Sequence, residues 1–377
     1  MRHILYLTGT RADFGLMQRT LTEIARTPGV DLQLAVTGMH LSDAHGRTVD
    51  EVRASGLRIA AEIPLDMDTR TGASMAAGVA DCLRGVTALL ERERPDALLL
   101  LGDRGEMLAG AIAALHVGVP CVHIHGGERS GTVDEPVRHA ISKLASYHFA
   151  ATDDARDRLV RMGEDPSRIF VVGAPGLDGL RELGDAMSRD ALAKATGLAS
   201  DSPFVLAVFH PVVQQAGEAH AQTRALLAAL ADIGLPVLWT EPNADAGSME
   251  ILRALDETPL PSGSARATHL GRPVFAAAMR HCAAMAGNSS AGIIEAATFG
   301  TPVVNIGDRQ RLREHGLNVV DVTGDTQSIA RALHSQLGHG RWPCENRWGD
   351  GRTAPRIANL LASLPLAASL TEKVNAY

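Results

Sequence analysis

Short runs of continuous apolar residues alternate with amphipathic stretches along nearly the whole chain of 377 residues. Candidate strands in the first half are 4–8, 32–36, 58–63, 97–101, 121–124, 147–150 and 169–172. Helical patterns lie between them, most clearly at 73–93 and 109–116. A strand such as Ala97-Leu98-Leu99-Leu100-Leu101 has no polar face, so both of its faces must be covered. Helices interposed between such strands provide that cover, and the pattern specifies parallel sheets in an α/β protein. It restarts at 204–209, 237–240, 283–286 and 302–306, after a turn-rich break at Gly173-Ala174-Pro175-Gly176. The expected architecture is two Rossmann-like domains with a cleft between them. The first spans 1–174 and the second 175–354; a helix and tail at 355–377 return to the first domain. No internal repeat or low-complexity segment interrupts this reading.

Length and composition agree with two domains, since 377 residues exceed one typical domain and 45% hydrophobic residues can fill two cores. The four cysteines, Cys82, Cys121, Cys282 and Cys344, are widely spaced and form no zinc-type pair. Neither a disulfide framework nor a metal site is expected. The formal net charge of -7 argues against a general binder of nucleic acid or membrane surfaces. No uncharged apolar run approaches the roughly 18 residues of a spanning helix, and the opening apolar run is too short for a signal peptide. The expected location is cytoplasmic.

Polar motifs fall where candidate strands end. Thr8-Gly9-Thr10-Arg11-Ala12-Asp13 follows the first, and its Arg11 suits a two-pronged contact to phosphate or a solvated turn. It is neither a GxGxxG fingerprint nor a Walker loop. Gly102-Asp103-Arg104 ends the strand at 97–101, where Asp103 is a general acid or base or else a helix cap. Arg104 beside it adds a cation. His123-Ile124-His125-Gly126-Gly127-Glu128 ends the next strand, and alternation would put both imidazoles on one side. No complementary ligand set supports metal, so His125 suits acid–base chemistry and His123 a structural hydrogen bond. Asp134-Glu135-Pro136-Val137-Arg138 reads as a helix start, with Asp134 its cap or a working carboxylate, and so dense a set of ionisable groups, Arg138 among them, favours a functional role.

In the second half, Phe209-His210-Pro211 places one imidazole at a strand end, and Pro242-Asn243 opens a capped turn. Gly287-Asn288-Ser289-Ser290 is a small-residue corner leading into a helix, suited to a phosphate through backbone N–H groups and the hydroxyls of Ser289 and Ser290. Glu295, on that helix, could accept both hydrogens of a ribose diol, and Arg309 offers a cation after the strand at 302–306.

Together these segments resemble the hydrolysing UDP-N-acetylglucosamine 2-epimerases, which open sialic-acid and related nonulosonic-acid pathways. The resemblance runs from Thr8-Gly9-Thr10-Arg11 through Val36-Thr37-Gly38-Met39-His40, Gly102-Asp103-Arg104, the Gly126-Gly127-Glu128 turn, Ile141-Ser142-Lys143, Phe209-His210-Pro211 and Gly287-Asn288-Ser289-Ser290 to Gly349-Asp350-Gly351. It implies a GT-B-type fold, a UDP-sugar substrate, no cofactor, no metal, and a homodimer or homotetramer. It also implies that Arg11, Arg104, Ser289, Ser290, Glu295 and Arg309 hold UDP. Asp103, Asp134, Arg138 and His210 would fall at catalytic or sugar-contacting positions. Asn243 and His40 would be further ligand contacts. The implied reaction eliminates UDP to a 2-acetamidoglucal and then adds water, releasing N-acetylmannosamine.

Many relatives carry Glu where this chain has His125. Some have His, including members acting on UDP-linked 2,4-diacetamido-2,4,6-trideoxyglucose, so that sugar is the alternative substrate. The nonhydrolysing branch typically reads Gly-Thr-Arg-Pro-Glu at the first loop; Ala12-Asp13 here follows the hydrolysing pattern. A GT-B glycosyltransferase and a non-catalytic nucleotide-sugar sensor are the rival classes, separated by their need for an acceptor and by absence of turnover.

Overall fold

The computed structural model describes residues 1–43, 46–66, 71–199 and 202–377. By its internal contacts the chain forms two compact units. Unit 1 comprises Met1–Glu128, Val133–Asp178 and Trp348–Tyr377; unit 2 comprises Arg129–Thr132 and Gly179–Arg347. The breaks at 178/179 and 347/348 stand against the 174/175 and 354/355 expected from sequence, and Arg129–Thr132 joins unit 2.

Unit 1 begins β1 (Arg2–Thr8), α1 (Arg11–Arg26), β2 (Val30–Thr37), α2 (Val49–Ala54), β3 (Ile59–Ile63) and α3 (Gly72–Glu93). It continues β4 (Ala97–Leu101), α4 (Gly105–Val117), β5 (Cys121–Ile124), α5 (Asp134–Leu144), β6 (Tyr147–Ala150), α6 (Asp153–Arg161) and β7 (Ile169–Val171). The strands form one sheet in the order β3-β2-β1-β4-β5-β6-β7, with every pairing parallel. The unbroken apolar character of β1 and β4 is explained by their two faces. Ile4, Tyr6, Leu99 and Leu101 enter one core with α1, while Leu5, Leu7, Leu98 and Leu100 enter the opposite core with α3 and α4.

Helix α3 is long and apolar enough by composition to cross a membrane, with a mean hydropathy of 1.3 in its most apolar window, although Asp81 and Arg84 interrupt its apolar run. In unit 1 it packs on α4 and contributes Cys82, Val86, Leu89 and Leu90 to the core.

Unit 2 contains α7 (Leu180–Ala186), α8 (Arg189–Thr196), β8 (Val205–Val208), α9 (Ala219–Ile233), β9 (Val237–Thr240), α10 (Ser248–Glu257), β10 (Ala265–Ala267) and α11 (Arg272–His281). It closes with β11 (Ala284–Gly287), α12 (Ser290–Ile294), β12 (Val303–Ile306), β13 (Val319–Val322) and α13 (Thr326–His339). Its parallel sheet runs β10-β9-β8-β11-β12-β13. The edge strands β10 and β13 are absent from the sequence reading. The final helix, α14 (Thr353–Ser363), belongs to unit 1 and packs on α1. Ile357, Ala358 and Leu361 join the core there, and the Arg2 guanidinium donates to the Leu361 and Leu364 carbonyls.

Candidate active site

Each sheet reverses its direction of growth once. In unit 1 the reversal falls between β1 and β4, and in unit 2 between β8 and β11. Adjacent connections there leave toward opposite faces, opening a crevice outside the carboxyl ends of the strands where open α/β sheets bind ligands. Arg11 begins α1 directly after β1, and Asp103 and Arg104 follow β4. His210 follows β8, and Asn288, Ser289 and Ser290 follow β11. Each unit therefore carries candidate residues at its own switch point.

In unit 1, four side chains form a connected chain. Arg138 projects from α5 with its side chain 1% exposed. Its Nη2 pairs with Asp103 Oδ2, and its Nη1 lies 3.9 Å from Glu128 Oε2. The other oxygen of Glu128 meets His125 Nδ1. Asp103 does not cap α4: the cap position is Arg104, without a side-chain cap bond. Arg104 instead reaches Glu106 Oε2 at 3.3 Å. Asp134 is also not a cap; Val133 holds that position and Asp134 begins the helix, half-buried. Two carboxylates around one buried guanidinium are mutually dependent. Removing such a cation strands buried charge, at a cost of about 3–5 kcal/mol.

The strand alternation expected for His123 and His125 stops before the second imidazole. β5 ends at Ile124, and His125 adopts φ +66°. A left-handed conformation in a residue with a side chain costs on the order of 1–3 kcal/mol and persists only where its surroundings enforce it. The His125 N–H donates to the Phe149 carbonyl at 3.1 Å. Gly127, at φ +78°, packs so closely that a Cβ would lie 2.3 Å from the Ala155 oxygen. This turn carries Glu128 back beneath His125.

His123 is structural. Its Nε2 donates to the Gly102 carbonyl at 2.7 Å, and Ser142 Oγ lies 3.1 Å from Nδ1. Burial pushes its pKa down to about 3, so the ring is neutral, with Nδ1 facing the Ser142 hydroxyl, which also donates to the Arg138 carbonyl at 3.0 Å. The pair joins the loop after β4 to β5 and α5.

His40, expected as a ligand contact, is fully buried and held from both sides. Its Nδ1 lies 2.9 Å from Thr48 Oγ1 and its Nε2 2.9 Å from Thr8 Oγ1. Burial lowers its pKa to about 4. Thr8 gives its single proton to Asp13, so it accepts from His40, which in turn accepts from Thr48. Asp13 also accepts from the backbone N–H groups of Gly9 and Thr10, at 3.0 and 2.8 Å. His40 thus braces the loop that carries Arg11.

In unit 2, Asn288 ties the switch point together. His210 N–H donates to its Oδ1, and its Nδ2 donates to the His210 carbonyl, both at 2.8 Å. The Asn243 N–H donates to His210 Nδ1 at 3.3 Å, leaving Nε2 to carry the proton of the neutral ring. The Asn243 side chain meanwhile donates to Asp245 at 2.6 Å. Arg309 Nη1 donates to the Asn288 carbonyl at 3.2 Å. Ser289 caps α12, accepting from the Ala291 N–H at 3.3 Å, and Ser290 begins the helix. Glu295, 4% exposed, pairs with Arg272.

His210, Asn243, Asn288 and Arg309 are therefore brought together, while Glu295 sits in a separate ion pair. Beside Asn288 a cavity of about 630 Å³ opens at the strand ends, lined by Phe209, Val212, Gly307, Asp308 and Arg311 among others. Sequence reasoning missed Glu128, Asn288 and the bracing Asp13, although all three lie within motifs singled out above. Among the described residues no group of three or more His, Cys, Asp or Glu side chains is placed to hold a metal ion.

Two doubly wound parallel units, each with ionisable loops at its switch point, place the protein in the GT-B class of α/β folds. The chain belongs to the UDP-N-acetylglucosamine 2-epimerase family, whose model matches residues 22–362. It is 44% identical over 377 residues to the UDP-N,N'-diacetylbacillosamine 2-epimerase (hydrolyzing) of Legionella pneumophila, covering 100% of both chains. It is 33% identical over 358 residues to a UDP-N-acetylglucosamine 2-epimerase of Neisseria meningitidis, covering 94% of this chain and 92% of the relative. The crystal structure of UDP-GlcNAc 2-epimerase from Neisseria meningitidis bound to UDP-GlcNAc is similar with a TM-score of 0.79 and 18% identity, over 95% of this chain and 99% of that one.

Proposed function

We propose that the chain is a hydrolysing 2-epimerase of UDP-linked 2-acetamido sugars whose preferred substrate is UDP-N,N'-diacetylbacillosamine, the 2,4-diacetamido-2,4,6-trideoxyglucose derivative. The observation that carries the chemistry is the Asp103–Arg138–Glu128–His125 cluster beside the unit 1 switch point, with Asp134 at the start of the same helix as Arg138. Support for the sugar comes from full-length identity of 44% to the diacetylbacillosamine enzyme, against 33% to the N-acetylglucosamine enzyme.

The reaction has two demands. The proton at C2 is weakly acidic and needs a placed base, and the departing diphosphate needs cations and N–H donors. In this reading a side chain of the cluster takes the C2 proton, the electron pair forms the C1–C2 double bond, and the C1–O bond breaks to release UDP. Water then adds at C1 and a proton returns to C2 from the opposite face. Asp103, His125 and Asp134 are the acid–base candidates, with Arg138 holding Asp103. Arg11, Arg104, Ser289, Ser290 and Arg309 would hold UDP, Glu295 would take the ribose, and His210 and Asn243 would contact the substrate.

Proton NMR in deuterated water tests this. Incubation should give free UDP and the 2-epimeric sugar with deuterium at C2, with kcat/KM about tenfold or more higher for the diacetamido sugar than for UDP-N-acetylglucosamine. A product still linked to UDP would mean a nonhydrolysing enzyme. Preference for UDP-N-acetylglucosamine would give the protein the sialic-acid substrate instead. His125→Ala should lower kcat by about 100-fold or more, and full turnover would remove His125 from the chemistry.

A further inference from the structure

We propose that Glu128 is a positioning residue that works through His125: its carboxylate accepts the Nδ1–H and fixes the ring in the tautomer whose Nε2 carries the lone pair that takes the substrate proton. This inference rests on the acid–base reading of His125 and goes further, assigning the working nitrogen and the group that sets it.

The geometry comes from the turn. Glu128 is 2% exposed, and one of its oxygens meets His125 Nδ1. The other faces Arg138 Nη1 at 3.9 Å. That buried guanidinium favours the ionised carboxylate, which can only accept; the proton between Glu128 and His125 must therefore come from the ring. A neutral imidazole carrying its proton on Nδ1 has its lone pair on Nε2. When Nε2 takes the C2 proton, the C2–H electron pair becomes the C1–C2 double bond and the C1–O pair leaves with UDP. The resulting imidazolium lies against the Glu128 carboxylate, which stabilises it without taking its proton. An acid that orients a histidine base does the same in serine hydrolases.

The left-handed backbone at His125 and the Gly126-Gly127 turn bring the two side chains together. An extended strand would direct a residue three positions on away from the ring. The Gly127 carbonyl accepts from Arg158, which anchors the turn.

The test is a double-mutant cycle with Glu128→Gln, His125→Gln and the double variant, assayed on whichever UDP-sugar the wild type turns over, with ¹⁵N NMR of the His125 ring. Glutamine keeps the shape but loses the charge and can present its NH2 group to the ring. E128Q should lower kcat about 100-fold with KM within threefold, and the double variant should be no slower than H125Q within twofold. In the wild type, His125 should be protonated at Nδ1, and that signature should be lost in E128Q, while UDP affinity and thermal stability report intact folding. Wild-type kcat in E128Q beside a slow H125Q overturns the inference alone, as does full additivity in the double variant or a wild-type ring protonated at Nε2. Wild-type kcat in H125Q overturns the acid–base reading itself, and the inference with it.

Discussion

Asp13 is a buried carboxylate whose job is to hold backbone. Burial pushes its pKa up to about 6, against the pull of hydrogen bonds from Thr8, Gly9 and Thr10 and with a further push from Glu106. The native protein then binds this proton more tightly than the unfolded chain between about pH 4 and 6, so acidification through that window adds stability at this site. Relative to Asp13→Asn, the wild type should gain up to about 3 kcal/mol between pH 7 and pH 4, read from urea unfolding of both proteins. A relative loss on acidification would mean that the loop holds the carboxyl ionised. Legibility at this scale was uneven. Asp103, Arg138 and His125 could be picked from the sequence because strand ends and ionisable residues are both visible there. Glu128 escaped because only the positive φ at His125 folds it back. At His40 the sequence does not distinguish an exposed imidazole from one bracketed by Thr8 and Thr48.

Central strands could be read directly, because β1, β4, β8 and β11 are continuous apolar runs buried on both faces. β10 and β13 were missed for the complementary reason. They are edge strands in which only Val319 is buried, and their short sequences, Ala-Arg-Ala and Val-Val-Asp-Val, lack a long apolar run. The corner between β11 and α12 depends on one backbone position. Gly287 has φ +142°, and a Cβ there would lie 2.0 Å from the Val208 carbonyl oxygen. Gly287→Ala must therefore part β8 from β11 and break the reciprocal bonds of Asn288 and His210. A loss of about 3 kcal/mol or more in urea unfolding is expected, with weakened UDP binding. An alanine variant within 1 kcal/mol of wild type would mean that this corner relaxes at little cost.

At the scale of the whole molecule, sequence periodicity conveyed two α/β units but not their discontinuity, which depends on contacts between residues far apart in the chain. Unit 1 needs Trp348–Tyr377: Ile357 and Leu361 are fully buried in its core, and Lys373 donates to the Ser142 and Ala145 carbonyls and to Glu164. A fragment of residues 1–178 should be unfolded or aggregated by circular dichroism and gel filtration. Joining residues 348–377 to it through a flexible linker should restore cooperative melting. A cooperative melt of 1–178 alone would show that α14 is dispensable. The closing helix also has a consequence for biosynthesis. On the ribosome unit 1 lacks part of its core until residues 348–377 have been translated, whereas all of unit 2 precedes them in the chain. Of the two units, the one begun earlier finishes folding later, and in the interval its uncovered apolar face is the surface a chaperone would meet.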